Sequence, residues 1–395
     1  MSRLFLSDRI PYDTGTNAIS RLLERLRRQG VEVLNLTETN PVKAGFVFPL
    51  EALHAGIVQE SISGYDPHPR GLQEAREAIA GYYEEHGIHV HPEAIYCTSS
   101  TSEAYSMLFK LLADPGDEIL VPEPSYPLFD YLALFEALKP VPFRLGYGKG
   151  AKPMVNRDSV ETVCSNRTRA LIIVNPNNPT GSYLDEDDRK FLTEFCRRRG
   201  IALIVDEVFH DYCFLETKPP SVLSQEMPCL QFTLNGLSKT LCLPQMKLSW
   251  FVVSGPLRYQ RKAQSRLDIL LDFYLSVNTP VQVAAPVLLS RREEIQEAVR
   301  LRCRDNLAFL QSTMKEIDGI DVYPVEGGWS VVMKVWRIDD EEEFVLRLLE
   351  DHHVLMHPGY FYNFIDGENL VLSLLPSIET FRDGIRRFVK AIYDW

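Results

Sequence analysis

From about residue 70 to about residue 255, helical patterns alternate with short runs that are nearly all apolar. Leu72 to His86 places Leu72, Ala75, Ile79 and Tyr83 at helical spacing and stops before Gly87, which predicts an amphipathic helix. Ser102 to Ala113 predicts a second helix, stopped by Asp114-Pro-Gly116, and Asp185 to Arg199 a third, closed by Gly200. Between them lie Ile119-Leu-Val121, Leu171-Ile-Ile-Val174, Ile201-Ala-Leu-Ile-Val205, Gln231-Phe-Thr-Leu234 and Trp250-Phe-Val-Val253. Such runs, bounded by turn residues, predict strands buried on both faces of a mostly parallel sheet. Ligands of these sheets bind beyond the carboxyl ends of the strands. Three polar groups stand there: Asn175 after Val174, Asp206 after Val205, and Lys239 within a turn of Leu234.

The C-terminal third has a different rhythm. Arg291 to Ile317 reads as a long charged amphipathic helix; strands Val331–Val335 and Leu370–Ser373 then alternate with helices Glu341–Leu349 and Ile378–Tyr393. That is an α+β pattern suited to a smaller domain. The first 45 residues hold one helix (Asn17 to Gln29) and an extended piece, too little for a core of their own. The expected division is therefore 1–45 as an arm and part of the small domain, 46–285 as a large domain, and 286–395 as the small C-terminal domain. The 395-residue length agrees with about two cores.

Composition narrows the partners. A formal charge of −12 excludes the basic face of a nucleic-acid binder and offers nothing to an anionic membrane. No apolar stretch approaches spanning length, and the short apolar run in Met1–Arg9 does not predict a signal peptide. The seven cysteines are scattered and never spaced Cys-x-x-Cys, which predicts reduced core thiols in a cytoplasmic protein and no metal site. Cys242, near Lys239, is read as one of these packed thiols.

The chemistry lies in the order of the polar groups. A pyridoxal phosphate site needs a lysine to carry the cofactor, a carboxylate for its ring nitrogen, donors for its ring oxygen, a phosphate cup and a stacking ring. Lys239, in Leu234-Asn-Gly-Leu-Ser-Lys-Thr240, suits the first role, with Lys247 eight residues on as a phosphate base. An isolated Ser238-Lys239 would by default be a solvated lysine; the strand position and Lys247 reverse that. Asp206 would by default be a helix cap, but the neighbouring turn Asn175-Pro-Asn-Asn-Pro-Thr-Gly181 favours a partner for the ring nitrogen. Asn178 is the amide assigned to the ring oxygen. Ser100, Thr101 and Ser102 open a helix whose free N–H groups suit a phosphate, although Ser102 as a plain N-cap is the ordinary reading. Tyr126 follows the next strand and is assigned to stack on the ring.

Taken together, Tyr65-x5-Gly71-Leu72, Pro115-Gly-Asp117, Pro124-Ser-Tyr126, Asn175–Gly181, Asp206-Glu207, Ser238-Lys239 and Pro358-Gly359 resemble, in order, the fold type I, pyridoxal-phosphate-dependent aminotransferases of class I/II. The resemblance spans essentially the whole chain. It implies a large cofactor-binding domain, a small domain built from both termini, and a homodimer in which Tyr65 reaches the neighbouring subunit's cofactor phosphate. It also implies amino-group transfer between an amino donor and a 2-oxo acid acceptor, with Asn40, Trp329 and Asn178 on the substrate side. The aromatic run Tyr360-Phe-Tyr-Asn-Phe364 is read mostly as small-domain core.

Four departures from the family pattern stand out. Gly236 occupies the place of a serine three residues before the lysine, and Lys247 that of an arginine, which loses a bidentate fork. Phe209 replaces a tyrosine that donates to the ring oxygen, and Val371 stands where an arginine would grip the substrate's α-carboxylate. An uncompensated loss of that last contact costs ~1.5–3 kcal/mol. Lys43, Arg70 or Lys247 would have to replace it, or the substrate is not an ordinary α-amino acid. Two other readings fit the same scaffold: a C–S lyase acting by β-elimination, and a non-catalytic cofactor-binding protein.

Overall fold

The computed structural model describes residues 15–146, 152–275 and 277–395, together with Ser7, Arg9 and Ile10. Most of Met1–Arg9, considered above as a leader, lies outside the described residues. After the short strand β1 (Leu34–Asn35) come eight strands that form one sheet: β2 (Ile95–Thr98), β3 (Glu118–Glu123), β4 (Lys139–Gly146), β5 (Met154–Val155), β6 (Thr168–Val174), β7 (Ala202–Asp206), β8 (Gln231–Gly236) and β9 (Ser249–Ser254). Their order is β2-β9-β8-β7-β6-β3-β4-β5. β4, β3, β6, β7 and β8 run parallel, while β9 and β5 are antiparallel to their neighbours.

Burial on both faces explains the continuous apolar runs. Ile172, Val174, Ile204, Phe232 and Leu234 face one core, which helices Thr101–Leu112 and Leu257–Asp272 cover. Leu171, Ile173, Leu203 and Val205 face the other, under helix Glu186–Arg199. The pattern does not foretell β4, because Pro140 and Pro142 interrupt it. This strand pairs with β3 along its length and with β5 only at Leu145 and Gly146, so its prolines lie where no ladder N–H is needed.

One helix start also differs from expectation. The N-cap before Thr101–Leu112 is Ser100, whose hydroxyl accepts from the Glu103 N–H at 3.1 Å, and the Glu103 carboxylate takes the Ser99 N–H at 2.6 Å. Ser102 therefore lies inside the first turn. The cap forms at the earlier serine because only there can a carboxylate three residues on reach back to the chain.

Downstream, β10 (Ile320–Val322), β11 (Ser330–Val335), β12 (Val354–Leu355), β13 (His357–Pro358) and β14 (Asn369–Ser373) follow the 23-residue helix Arg292–Met314. β10, β11, β14 and β13 make a four-stranded antiparallel sheet, and β12 pairs in parallel with β1. Ile19, Leu22 and Leu26 of helix Ala18–Arg28 join Phe344, Val345, Phe381 and Ile385 in one hydrophobic cluster, so both ends of the chain share a core. Leu370 and Leu372 of β14 point into it, while Val371 lies on the other face with Val332 and Tyr362. Among the described residues no helix is long and apolar enough to cross a membrane.

Candidate active site

The register of the large sheet brings the predicted groups to one edge. Val174, Asp206 and Leu234 are cross-strand partners, so the Asn175 turn, the Asp206 carboxylate and the approach to Lys239 lie side by side. Asp206 is 8% exposed; Val208 N–H donates to its Oδ1 at 3.1 Å and the Tyr105 hydroxyl to its Oδ2 at 3.1 Å. Burial outweighs these bonds and the attraction of Lys239, and pushes its carboxyl up to about 6.

Lys239 lies in the single turn Leu237–Thr240, held where Tyr212 donates its hydroxyl to the Lys239 carbonyl at 2.5 Å. Its Nζ is 4.9 Å from the centre of the Trp329 ring and 5.5 Å from that of Phe209. Trp329 is fixed in turn by edge contacts with Tyr212 (5.0 Å) and Phe209 (5.4 Å). The close approach needs Gly327, since a Cβ there would stand 2.6 Å from the Tyr212 carbonyl oxygen. Burial among these rings lowers the Lys239 amine below the ordinary lysine value, against the opposing charge of Asp206. More of it is then neutral and nucleophilic near pH 7. Cys242 is buried and its thiol is pushed up to about 12, so it remains a protonated packing group as expected.

The Asn175–Gly181 turn separates its amides by task. The Asn175 Nδ2 donates to Glu207 at 3.1 Å and its Oδ1 accepts from Leu184 N–H at 3.0 Å. Asn177 Oδ1 accepts from the Thr180 hydroxyl at 3.0 Å. Asn178 is half-buried, and its side chain has no hydrogen-bond partner among the described residues. Ser100, Thr101, Ser102 and Ser238 are half-buried around the same edge, and Lys247 is exposed in a left-handed conformation (φ 56°) after the turn Pro244–Met246. Tyr126 is 48% exposed beyond β3, and Tyr65 is 73% exposed in the loop before Gly71.

The substrate side brings one correction. Arg70 grips Asp268 with both arms (2.7 and 2.6 Å) and Glu93 at 3.0 Å, over the Tyr96 ring, so it is a structural anchor and not a carboxylate receptor. In the run Tyr360–Phe364, Tyr362 is core as expected, with Phe361 and Phe364 packed against its cluster, while Tyr360 is exposed. Ser125 N–H donates to the Tyr362 carbonyl at 3.0 Å, and burial raises the Tyr362 hydroxyl well above the ordinary tyrosine value, with a smaller contribution from the neighbouring Tyr126. Tyr362, Val332 and Val371 form an uncharged wall with Phe361, and His357 sits across from Val371 with Nδ1 3.3 Å from the Tyr362 hydroxyl. Burial depresses His357 to about 4, so it is neutral at pH 7. Asn40 is half-buried and its side-chain Oδ1 accepts from Val42 N–H at 3.0 Å; its segment is tied to β14, where the Ser373 hydroxyl donates to the Glu38 carbonyl at 2.6 Å. Lys43 is exposed.

Comparison with known proteins gives the family. The family model described as aminotransferase class I and II matches residues 32–380. The glutamate-pyruvate aminotransferase AlaA of Escherichia coli K12 is 27% identical over 378 residues, covering 93% of this chain and 92% of that protein. An alanine aminotransferase of Mycobacterium bovis is 28% identical over 366 residues, 89% of this chain and 83% of its own. The solved alanine aminotransferase of Pyrococcus furiosus superposes with a TM-score of 0.88 at 27% identity, covering 99% of this chain and all of that one. The chain belongs to the class I and II aminotransferases, and its reaction is amino-group transfer.

Proposed function

We propose that this aminotransferase uses pyridoxal phosphate carried on Lys239, and that Lys239 is also the acid–base that moves the substrate proton. The observation that carries the reading is the Lys239 amine itself, lowered by burial between Phe209 and Trp329 and within electrostatic reach of Asp206. The donor set suits the cofactor: a buried carboxylate short of a cation, an amide without a partner among the described residues, and a nucleophilic amine. When bound, the cofactor supplies an electron sink for the bond broken at the substrate's amino carbon.

In this reading Asp206 keeps the ring nitrogen protonated, held in place by Tyr105 and the Val208 N–H. Asn178 donates to the ring oxygen. Ser100, Thr101, Ser102, Ser238 and Lys247 hold the phosphate, and Tyr126 stacks on the ring. With the cofactor in place, the Lys239 amine would serve as the base that takes the substrate's proton and the acid that gives it back. Phe209 and Trp329 exclude water from that amine. On the substrate side, Asn40 and Trp329 are joined by the uncharged wall of Tyr362, Val371 and neutral His357.

The division into 1–45, 46–285 and 286–395 and a homodimer complete the proposal. Val47, Val58, Tyr65 and Phe273, between 73% and 82% exposed, support an apolar surface for a second copy, through which Tyr65 would reach the neighbouring site. Seven free cysteines support a reducing compartment, the cytoplasm. The test is a single turnover. Adding an amino donor to the loaded protein should remove the absorbance of the lysine-bound cofactor and release one keto product per site. An unchanged spectrum with release of ammonia would refute transfer in favour of elimination.

A further inference from the structure

Gly236 leaves the phosphate cup without the hydroxyl that a serine at this position would give, and the sheet shows what stands in its place. β9 lies between β8 and β2, with Ser249 paired to Gly236 on one side and to Thr98 on the other. Thr98 leads directly into Ser99–Ser102 and the N-terminus of helix Thr101–Leu112. A Cβ added at Gly236 would meet the Ser249 hydroxyl and stand 2.8 Å from the Ser249 Cβ. The φ of Gly236 is 177°, extended backbone open to any residue, so glycine is required there by Ser249 and not by chain conformation. Ser249 is 2% exposed, and its hydroxyl has no hydrogen-bond partner among the described residues. The hydroxyl oxygen itself is not sealed from solvent, so it is open to a ligand at the Gly236 cradle.

We propose that Ser249 is a phosphate-binding residue of the cofactor site, its hydroxyl reaching from β9 into the space vacated at Gly236. The inference rests on the cofactor reading above. Ser249 stands between the helix N-terminus at Thr101 and the turn that carries Lys239, with Lys247 two residues before it on the same approach. The residue pair is an exchange in space: a hydroxyl from one strand excludes a side chain on its neighbour. Gly236 cannot take a larger side chain while Ser249 keeps its own.

The test measures cofactor affinity of the stripped protein by quenching of tryptophan fluorescence, with pyridoxal phosphate and with pyridoxal as paired probes. Ser249→Ala should weaken pyridoxal phosphate binding by about 10-fold or more, the scale of a hydrogen bond to a charged group, and leave pyridoxal binding unchanged. Ser249→Gly should do the same, and Gly236→Ser placed on Ser249→Gly should restore affinity. Gly236→Ser alone should weaken it through the clash. Pyridoxal phosphate affinity within about 2-fold of wild type in both Ser249 variants would overturn the assignment, as would equal losses for both probes. A wild-type protein that binds neither probe would overturn the cofactor reading itself.

Discussion

Replacing Asp206 by asparagine (D206N) should move the cofactor-free and loaded proteins in opposite directions. In the cofactor-free protein the Asp206 carboxyl is raised from 3.8 to about 6, chiefly by burial. Roughly two pH units at about 1.4 kcal/mol each make the ionised group a burden of about 3 kcal/mol. The sign follows from the raised value. Below pH 3.8 the carboxyl is protonated folded and unfolded, and its contribution to stability is intact; it is lost as pH rises through about 6. About half of the burden is present at pH 5 and nearly all of it at pH 8, which leaves about 1–2 kcal/mol between those two conditions. The substituted amide cannot ionise, although its oxygen satisfies only one of the two donors, the Val208 N–H and the Tyr105 hydroxyl. Urea unfolding of the stripped proteins should therefore show the variant gaining on wild type by ~1–2 kcal/mol from pH 5 to pH 8. With cofactor the effect reverses, because the ring nitrogen loses its counter-charge. Breaking a buried pair costs ~3–5 kcal/mol, so affinity should fall by at least ~100-fold. A pH-independent difference between the stripped proteins, or affinity within about 3-fold of wild type, would refute the role given to Asp206.

Two further substitutions probe the departures from the family pattern. Phe209→Tyr adds a donor beside Lys239; one hydrogen bond of ~0.5–1.5 kcal/mol should lower the pH midpoint of the bound cofactor's absorbance change by about half to one unit. An unchanged or raised midpoint would contradict it. Val371→Arg places a guanidinium in the uncharged wall beside His357 and should raise kcat/KM for α-carboxylate donors by about 10-fold or more, from ~1.5–3 kcal/mol of charge-assisted bonding. Equal kcat/KM in a variant with the wild-type melting temperature would show that the carboxylate does not approach β14.

Much of this site is legible in sequence because parallel strands announce themselves. Leu171–Val174 and Ile201–Val205 are apolar at every position since alternate residues feed two cores, and the polar residues that end them must then sit at the ligand edge. Lys239, Asp206 and Asn178 are visible for that reason. What sequence hides are facts of pairing at long range. Arg70 reads as available in sequence, yet Asp268, 198 residues away, holds it. Tyr362 is core as sequence suggests, but its carbonyl's bond to the Ser125 N–H joins segments far apart in the chain and is not visible there. Ser249 resembles any strand residue, since only the register of β9 between β8 and β2 sets it against Gly236. Ser102 reads as the cap because the reach of Glu103 back to Ser99 depends on the path of the turn.

The central claim is that Lys239 carries the cofactor, and chemical trapping tests it most directly. Borohydride reduction of the loaded protein, followed by proteolysis and peptide mass spectrometry, should find one phosphopyridoxyl group per chain, on the peptide containing Leu237-Ser-Lys239-Thr240. Lys239→Ala should take up none. Label on Lys247 or another lysine, or equal labelling of the Lys239→Ala protein, would contradict the account.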